Sequence, residues 1–255
     1  MLVAQISDTH IQTRDPSARS RLDDLARTVA SINALRPRPA AVLHTGDIAH
    51  DATPSDYEAA RAILSRVACP LYATVGNRDR RGAFRQAFAP DGYLRHDAGF
   101  VQYAVDLGRL RIVSIDTLDA GSKLGEFCGE READLRRLLG THPERPTLVF
   151  LHHAPAPLPD IGGQPLQFRD PRGAAALARC IAECPGLVGV VAGHVHSTRM
   201  VALAGTVLST APSIATDLSK ERLPARHVGR PVYHLHAVDG RRIASASVLV
   251  EAGSL

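Results

Sequence analysis

Gly193-His194-Val195-His196 directly follows the apolar run 187–192 (LVGVVA), and the fold prediction starts from this stretch. The run has the length and the β-branched content of a buried strand. Gly193 allows the backbone to approach a ligand closely, and two imidazoles two residues apart come immediately after it. A buried strand that ends in such a pair predicts a binding site at the carboxyl edge of a sheet.

Four other short apolar runs also lead into polar residues of the ligand type. They end before Asp8 and His10, before Asp47, before Asn77, and before His152. Because parallel strands present their carboxyl ends at one edge of a sheet, we expect these side chains to lie together. The seven residues have the composition of a dinuclear metal site: Asp8, His10, Asp47, Asn77, His152, His194 and His196.

Strands alternate with helical segments as far as residue 192, which indicates an α/β sheet. Three helix starts are marked by a capping residue followed by proline, at Asp15-Pro16, Thr53-Pro54 and Asp170-Pro171. A further helix is predicted over 130–139, ending at Gly140.

β-type sequence is added in the middle and at the end of the chain. Residues 100–106 and 109–116 form a predicted hairpin with its turn at Leu107-Gly108, and the part from about 199 to 255 is β-rich. We therefore predict one domain over 1–255, a four-layer α/β/β/α sandwich of two packed mixed sheets flanked by helices. Segments 154–170 and 211–230 follow ligand-bearing strands and are interpreted as loops at the rim of the site.

The composition is that of an ordinary globular protein, with 45% hydrophobic and 22% charged residues among 255. No apolar stretch is long enough to predict a membrane span, and no secretory signal is recognisable, so a cytoplasmic location is expected. Arginine carries nearly all the positive charge, and the only lysines are Lys123 and Lys220. The cluster Arg131, Arg136 and Arg137 alternates with acids, which predicts a solvated helix face. The four cysteines form no C-x-x-C pair and are interpreted as structural.

In combination, these motifs resemble the calcineurin-like metallophosphoesterase superfamily, whose signature runs D-x-H, G-D, G-N-H-D or G-N-H-E, H and G-H-x-H. The resemblance extends to about residue 213. Among its members, the chain is most similar to the bacterial cyclic-nucleotide and glycerophosphodiester phosphodiesterases of the class III type. Three segments carry that similarity: Thr53–Tyr57 after the aspartate motif, the H-H-x-P at His152–Pro155, and the late P-S pair at Pro212-Ser213.

The resemblance implies two divalent metal ions, one held by Asp8, His10 and His196 and the other by Asn77, His152 and His194, with Asp47 bridging them. Nitrogen and oxygen ligands without thiolate leave Mn, Fe and Zn open. Two such ions roughly 3.5–4 Å apart activate a bridging hydroxide for in-line attack on phosphorus. The implied function is a phosphodiesterase acting on a small anionic phosphoester, a cyclic nucleotide or a glycerophosphodiester.

Arg78 is a departure from the signature, because the family usually has histidine at this position. Arginine stays protonated near pH 7, so it can clamp a phosphate but cannot serve as a general acid. His50 and His153 are the candidates by position for protonating the leaving group, and Asp47 completes the catalytic set. Alternatively the leaving group needs no proton: G-N-R-D also occurs in the related UDP-diacylglucosamine pyrophosphatases, which suggests a nucleotide-linked phosphoanhydride as substrate.

Two further readings stay open, a catalytically weak protein of this fold and a scaffold such as the retromer subunit of the superfamily. The filled ligand set is an argument against the scaffold. A nucleic-acid partner is not expected, since the chain has no long basic extension or patch of interleaved aromatic residues. The late β-rich segment offers an edge through which two copies could form a dimer. His44 lies within an apolar strand and is interpreted as a core residue. His234 and His236 repeat the spacing of the pair His194 and His196, but no glycine precedes them, and they are not interpreted as metal ligands.

Overall fold

The computed structural model of the protein describes residues 1–95, 99–161 and 163–251. The strands are β1 (Leu2–Ile6), β2 (Ala41–His44), β3 (Leu71–Ala73), β4 (Tyr103–Leu107), β5 (Leu110–Ile115), β6 (Thr147–Leu151), β7 (Leu187–Ala192), β8 (Arg199–Leu203), β9 (Thr206–Thr210), β10 (Val232–Asp239) and β11 (Arg242–Leu249). The α-helices are α1 (Ser20–Ala34), α2 (Pro54–Leu64), α3 (Arg81–Phe88), α4 (Gly129–Gly140) and α5 (Pro171–Ala182).

The strands form two mixed sheets. The first has the order β11-β10-β1-β2-β3, in which β1, β2 and β3 are parallel and β10 pairs antiparallel with both β1 and β11. The second has the order β4-β5-β6-β7-β9-β8, with a parallel centre and an antiparallel strand at each edge. In both sheets the parallel strands carry the ligand-type residues.

Alternate residues of the central strands face different layers, as β6 illustrates. Leu148 and Phe150 join the large core formed with the first sheet and helices α1, α2 and α3. Val149 and Leu151 join a second core beneath α4 and α5. Because both faces of the strand are covered, its sequence is a continuous apolar run. The four-layer α/β/β/α prediction is confirmed.

The helix starts were predicted with mixed success. Thr53 caps α2 with a complete capping box, and Asp170 caps α5. Asp15-Pro16 instead opens a short 3₁₀ turn over Pro16–Ala18, and α1 begins only at Ser20. The motif satisfies the first free backbone donor in either type of helix, so it does not distinguish them. Helix α3 was not predicted.

Two further predictions need correction. The β4–β5 turn lies at Gly108-Arg109, one residue later than expected, because Gly108 takes the left-handed backbone (φ 55°) there. Arg131 is buried rather than solvated: its guanidinium donates to the Leu118 carbonyl and stacks on the Phe100 ring.

The β-rich end of the chain is present as β8 to β11, and the last four residues of its predicted range lie outside the described residues. No helix in the described part of the chain has the length and apolarity needed to cross a membrane.

Candidate metal centre

Five parallel strands from the two sheets end at one pole of the molecule, and the seven predicted ligands follow them. Strands β1, β2 and β3 lead into Asp8 and His10, Asp47, and Asn77; strands β6 and β7 lead into His152, and into His194 and His196. Hydrogen bonds between these strand extensions fix their spacing: the Asp8 amide donates to the Gly46 carbonyl at 3.0 Å, and the Gly193 amide to the His152 carbonyl at 3.1 Å.

Five of the seven residues have a left-handed backbone, which is rare for residues other than glycine. Their φ angles are 53° at Asp8, 45° at His10, 55° at Asp47, 74° at His194 and 59° at His196. Such conformations cost of order 1–3 kcal/mol each and persist where the surroundings enforce them, often at functional sites. The backbone itself therefore marks this pole as a site.

One donor group comprises Asp8, His10 and His196. The Nε2 atoms of the two histidines are 3.1 Å apart, and Asp8 Oδ1 lies 3.3 Å from His196 Nε2 and 3.7 Å from His10 Nε2. Donors that share an ion at about 2.1 Å are separated by roughly 3 to 3.5 Å. Asp8 Oδ1 is buried without a hydrogen-bond partner among the described residues, as expected for an oxygen that faces a metal ion.

The second donor group comprises Asn77, His152 and His194. Asn77 Oδ1 lies 3.1 Å from His152 Nε2 and 2.9 Å from His194 Nδ1. These separations also match donors around a common ion. Asn77 adds a neutral oxygen, so this group carries less negative charge than the first.

Asp47 lies between the two groups. Its Oδ2 is 3.5 Å from His10 Nε2 on one side and 3.6 Å from His152 Nε2 on the other. Its Oδ1 accepts a hydrogen bond of 2.7 Å from the Arg78 amide, which fixes the orientation of the carboxylate. Asp47 Oδ2 is therefore within about 3.6 Å of a histidine nitrogen of each donor group.

Hydrogen bonds on the far side of three of the four candidate ligand imidazoles select the nitrogen that faces the site. His152 Nδ1 donates to the Thr45 carbonyl at 2.7 Å, and His196 Nδ1 donates to the Leu218 carbonyl at 2.9 Å. His194 is reversed, since its Nε2 donates to Gln167 Oε1 at 2.9 Å. Such outer contacts fix the tautomer and the ring orientation of metal-binding histidines.

The electrostatics of the site also fit a cation. Burial opposes the ionisation of Asp8, but the imidazoles around it, His196 first among them, lower its pKa below the usual value. Burial and the carboxylates of Asp8 and Asp79 raise the pKa of Asp47 well above its usual value. Burial lowers the pKa of His194 to about 3. Neutral imidazoles are the form that binds metal, and a dication relieves the crowding of the carboxylates.

Close packing at Gly193 explains why the pair of histidines follows a glycine. A Cβ atom at this position would lie 2.2 Å from Ser7 Oγ and 2.8 Å from Asp8 Oδ2. Ser7 donates to Asp8 Oδ2 and in turn accepts from Thr45 Oγ1 at 2.7 Å. A side chain at 193 would push this buried chain of hydrogen bonds away from the site.

Of the predicted catalytic residues, His50 and Arg78 line one cavity of about 540 Å³ together with Asn77. The Arg78 side chain is exposed, and His50 Nδ1 is 3.3 Å from His10 Nδ1. His153 does not line this cavity but lies beside the second donor group, where its ring nitrogen is close enough to those of His152 and His194 to share an ion with them. It is fully buried, its Nδ1 is 2.9 Å from Thr117 Oγ1, and its ring centre is 4.5 Å from that of His194.

Gln167 and the Leu218 carbonyl were not predicted as parts of the site. Both belong to the segments interpreted as rim loops, 154–170 and 211–230, and both contact candidate ligands. Nothing in the residue types of these loops distinguishes Gln167 from its neighbours, so only its position after folding identifies it.

Two curated relatives are the glycerophosphodiester phosphodiesterase GpdQ of Enterobacter lignolyticus and the 3',5'-cyclic adenosine monophosphate phosphodiesterase CpdA of Pseudomonas aeruginosa. The first is 31% identical over 217 residues, covering 84% of this chain and 77% of the relative. The second is 27% identical over 234 residues, covering 88% of this chain and 82% of the relative.

A solved structure with the same fold is a dimetal phosphatase from Danio rerio, with a TM-score of 0.69, 13% identity, and coverage of 98% of this chain and 99% of that one. Residues 1–198 match the sequence profile of the calcineurin-like phosphoesterases. The chain therefore belongs to the calcineurin-like phosphoesterase family.

Proposed function

We propose that the protein is a dinuclear metal-dependent phosphodiesterase that hydrolyses a glycerophosphodiester or a cyclic nucleotide. The observation that carries the proposal is the position of Asp47 Oδ2, which lies 3.5 and 3.6 Å from histidine nitrogens of two separate donor groups. A single structural ion would need only one of these groups, whereas a shared carboxylate between two groups suits a pair of ions.

One ion would be held by Asp8, His10 and His196, and the other by Asn77, His152 and His194, with Asp47 shared. When bound, the ions would supply a hydroxide at neutral pH and neutralise the phosphoryl oxygens. The donors are nitrogen and oxygen without thiolate, which is compatible with Mn, Fe or Zn.

The residues of the adjoining cavity would position the substrate. The exposed guanidinium of Arg78 can clamp a phosphoryl oxygen and stabilise its charge, but it cannot release a proton near neutral pH. Of the two proposed proton donors, His50 lines this cavity with Arg78, whereas His153 is fully buried. We therefore assign protonation of the leaving group to His50.

The substrate class rests on the two relatives, one of which is named for glycerophosphodiesters and the other for cyclic AMP. A second candidate is hydrolysis of a phosphoanhydride, which Arg78 favours because a phosphate leaving group needs no proton. Comparing turnover of glycerophosphoethanolamine, cyclic AMP and a UDP-linked pyrophosphate with Mn separates the classes, and a preference for the pyrophosphate overturns the first choice.

The first experiment is elemental analysis of the purified protein paired with an assay on bis-p-nitrophenyl phosphate after addition of Mn. We expect about two metal ions per chain and turnover. The Asp47→Asn variant should lose the metal ions and the turnover. The Asp239→Asn variant, with the same change at the exposed end of β10, should keep the metal ions and the turnover. Metal without turnover in the unaltered protein favours the catalytically weak alternative, and absence of both favours the scaffold.

A further inference from the structure

A second cavity, of about 280 Å³, opens on the side of the site away from Arg78. It is lined by Lys123, Leu124, Ile161, Gln164, Gln167, His194, Val195 and Lys220. Through His194 and Gln167 this cavity borders the second donor group directly. The site is thus flanked by two separate cavities, of which the function proposed above uses only the one beside Arg78.

Lys123 and Lys220 are the only lysines among the 30 lysine and arginine residues of the chain, and both line this cavity. They come from loops about one hundred positions apart in sequence, so the fold brings them together. Both are exposed, and neither side chain forms an ion pair with a residue in the described ranges. No acidic side chain is among the described residues that line the cavity.

Both lysine-bearing loops are tied to the site through their backbones. The Lys220 amide donates to the His196 carbonyl at 2.8 Å. On the other loop, the Gly125 amide donates to the Gln167 carbonyl at 2.9 Å, and the Arg169 amide donates back to the Gly125 carbonyl at 3.0 Å. The Lys220 backbone and the loop that carries Lys123 are therefore anchored beside the candidate ligands, while the ammonium groups have no ion-pair partner in the described ranges.

Two unpaired cations beside a cationic metal pair repel one another and gain most from an anion bound between them. Lysine is a compact point charge that serves carboxylates and phosphates alike. We propose that Lys123 and Lys220 form a subsite for a second anionic group of the substrate, a carboxylate or a phosphate attached near the scissile phosphorus. The inference rests on the proposed phosphodiesterase and narrows its substrates to those that carry such a group.

The test compares two glycerophosphodiesters that differ by one carboxylate, glycerophosphoserine and glycerophosphoethanolamine. The quantity measured is the ratio of their kcat/KM values with Mn. We expect glycerophosphoserine to be favoured at least roughly tenfold, because hydrogen bonds to charged groups have about that effect. The Lys123→Gln/Lys220→Gln double variant should lower this ratio about tenfold.

Arg242→Gln is the control for loss of a positive charge far from the site. It removes one positive charge from an exposed residue at the start of β11, at the opposite pole of the sheets. Its ratio should equal that of the unaltered protein. Equal kcat/KM values for the two substrates, or the same ratio with and without the lysines, overturn the proposal.

A binding measurement tests the subsite independently of turnover. Titration calorimetry with thymidine 3',5'-bisphosphate and thymidine 5'-phosphate should give a Kd at least roughly tenfold lower for the bisphosphate, and the lysine double variant should lose the difference. If the protein turns over bis-p-nitrophenyl phosphate but shows no such difference in Kd, the lysine subsite is rejected and the phosphodiesterase proposal stands. If the difference in Kd is present and depends on the lysines but there is no turnover, the subsite is supported and the phosphodiesterase proposal is rejected.

Discussion

Two histidine pairs share the same spacing in the sequence but occupy different environments. His194 and His196 follow the end of β7 with left-handed backbones, and their rings face the other candidate ligands. His234 and His236 lie inside β10 with buried rings. His236 Nε2 is 3.0 Å from Gln5 Oε1, and its Nδ1 is 2.8 Å from Ser245 Oγ.

The difference shows that spacing alone does not make a metal site. Inside β10, His236 meets polar groups of the two neighbouring strands. His234 Nε2 is 3.2 Å from Thr198 Oγ1, and its Nδ1 is buried without a hydrogen-bond partner among the described residues. A pair beyond the strand end is turned by its left-handed backbone toward residues from other strands. The position of Gly193 at the end of the apolar run is the local signal that separates the two pairs.

The largest contrast is expected between His194→Ala and His234→Ala. The first should lower kcat/KM on bis-p-nitrophenyl phosphate on the order of a thousandfold and remove about one metal ion per chain, because it deletes a candidate ligand. The second should retain metal and lose stability instead. Equal loss of metal from both variants would erase the distinction between the pairs.

The next effect is on folding stability at the glycine before the metal pair. Gly193→Ala should lower the free energy of unfolding by about 3 kcal/mol, because its Cβ would lie 2.2 Å from Ser7 Oγ. Gly82→Ala in α3 is the control, since nothing lies within 4 Å of its added Cβ. Urea denaturation measures both, and a stable Gly193→Ala variant contradicts the close packing.

A smaller effect is expected at Gln167, whose Oε1 accepts a hydrogen bond of 2.9 Å from His194 Nε2. Gln167→Ala should weaken metal affinity roughly 10- to 100-fold, as the loss of an outer hydrogen bond to a ligating histidine usually does. Competition with a chelator of known affinity measures the change. Gln164→Ala, on the same loop and the same cavity wall, should leave metal affinity near that of the unaltered protein.

The smallest effect is expected in the pH dependence of folding stability, through His236 of the buried histidine pair. Burial lowers the pKa of His236 to about 3, so the ring is neutral in the folded protein, whereas the unfolded chain takes up a proton below pH 6.5. Its contribution to stability is therefore complete above about pH 7 and is lost as pH falls from 6.5 toward 3. When the pH is lowered from 7 to 5, the free energy of unfolding of the unaltered protein should fall by about 1–2 kcal/mol more than that of the His236→Gln variant.

Urea midpoints at the two pH values measure this loss. If His236→Gln and the unaltered protein lose equal free energy on acidification, His236 is not the neutral buried group described here.

Local pattern predicted the strands that carry the ligands, because each is a short apolar run that stops at a polar residue. It also predicted the starts of α2 and α5, since Thr53 and Asp170 act on backbone donors within a few residues. The order of the motifs along the chain predicted the family, and the family supplied the pairing of the seven ligands into two groups.

What the sequence did not predict depends on contacts between distant segments. Arg131 was expected in solvent, yet Phe100 and the Leu118 carbonyl enclose its guanidinium. Gln167 reaches His194 from 27 positions away. Helix α3 is eight residues long and packs through Phe84 and Phe88, and eight residues are too few for periodicity to be distinctive.

The strand ends carry the candidate ligands, whereas the rim loops build the side cavity, and this separation has a consequence for evolution. Backbone hydrogen bonds between the extensions of adjacent strands hold the candidate ligands in place. One example is the 2.9 Å bond from the His10 amide to the Asp47 carbonyl. The side cavity beside Gln167 is built largely by loops that can change in length and composition without moving those strands. A lineage with this architecture can exchange one substrate for another by replacing loops, while the reaction itself is inherited unchanged.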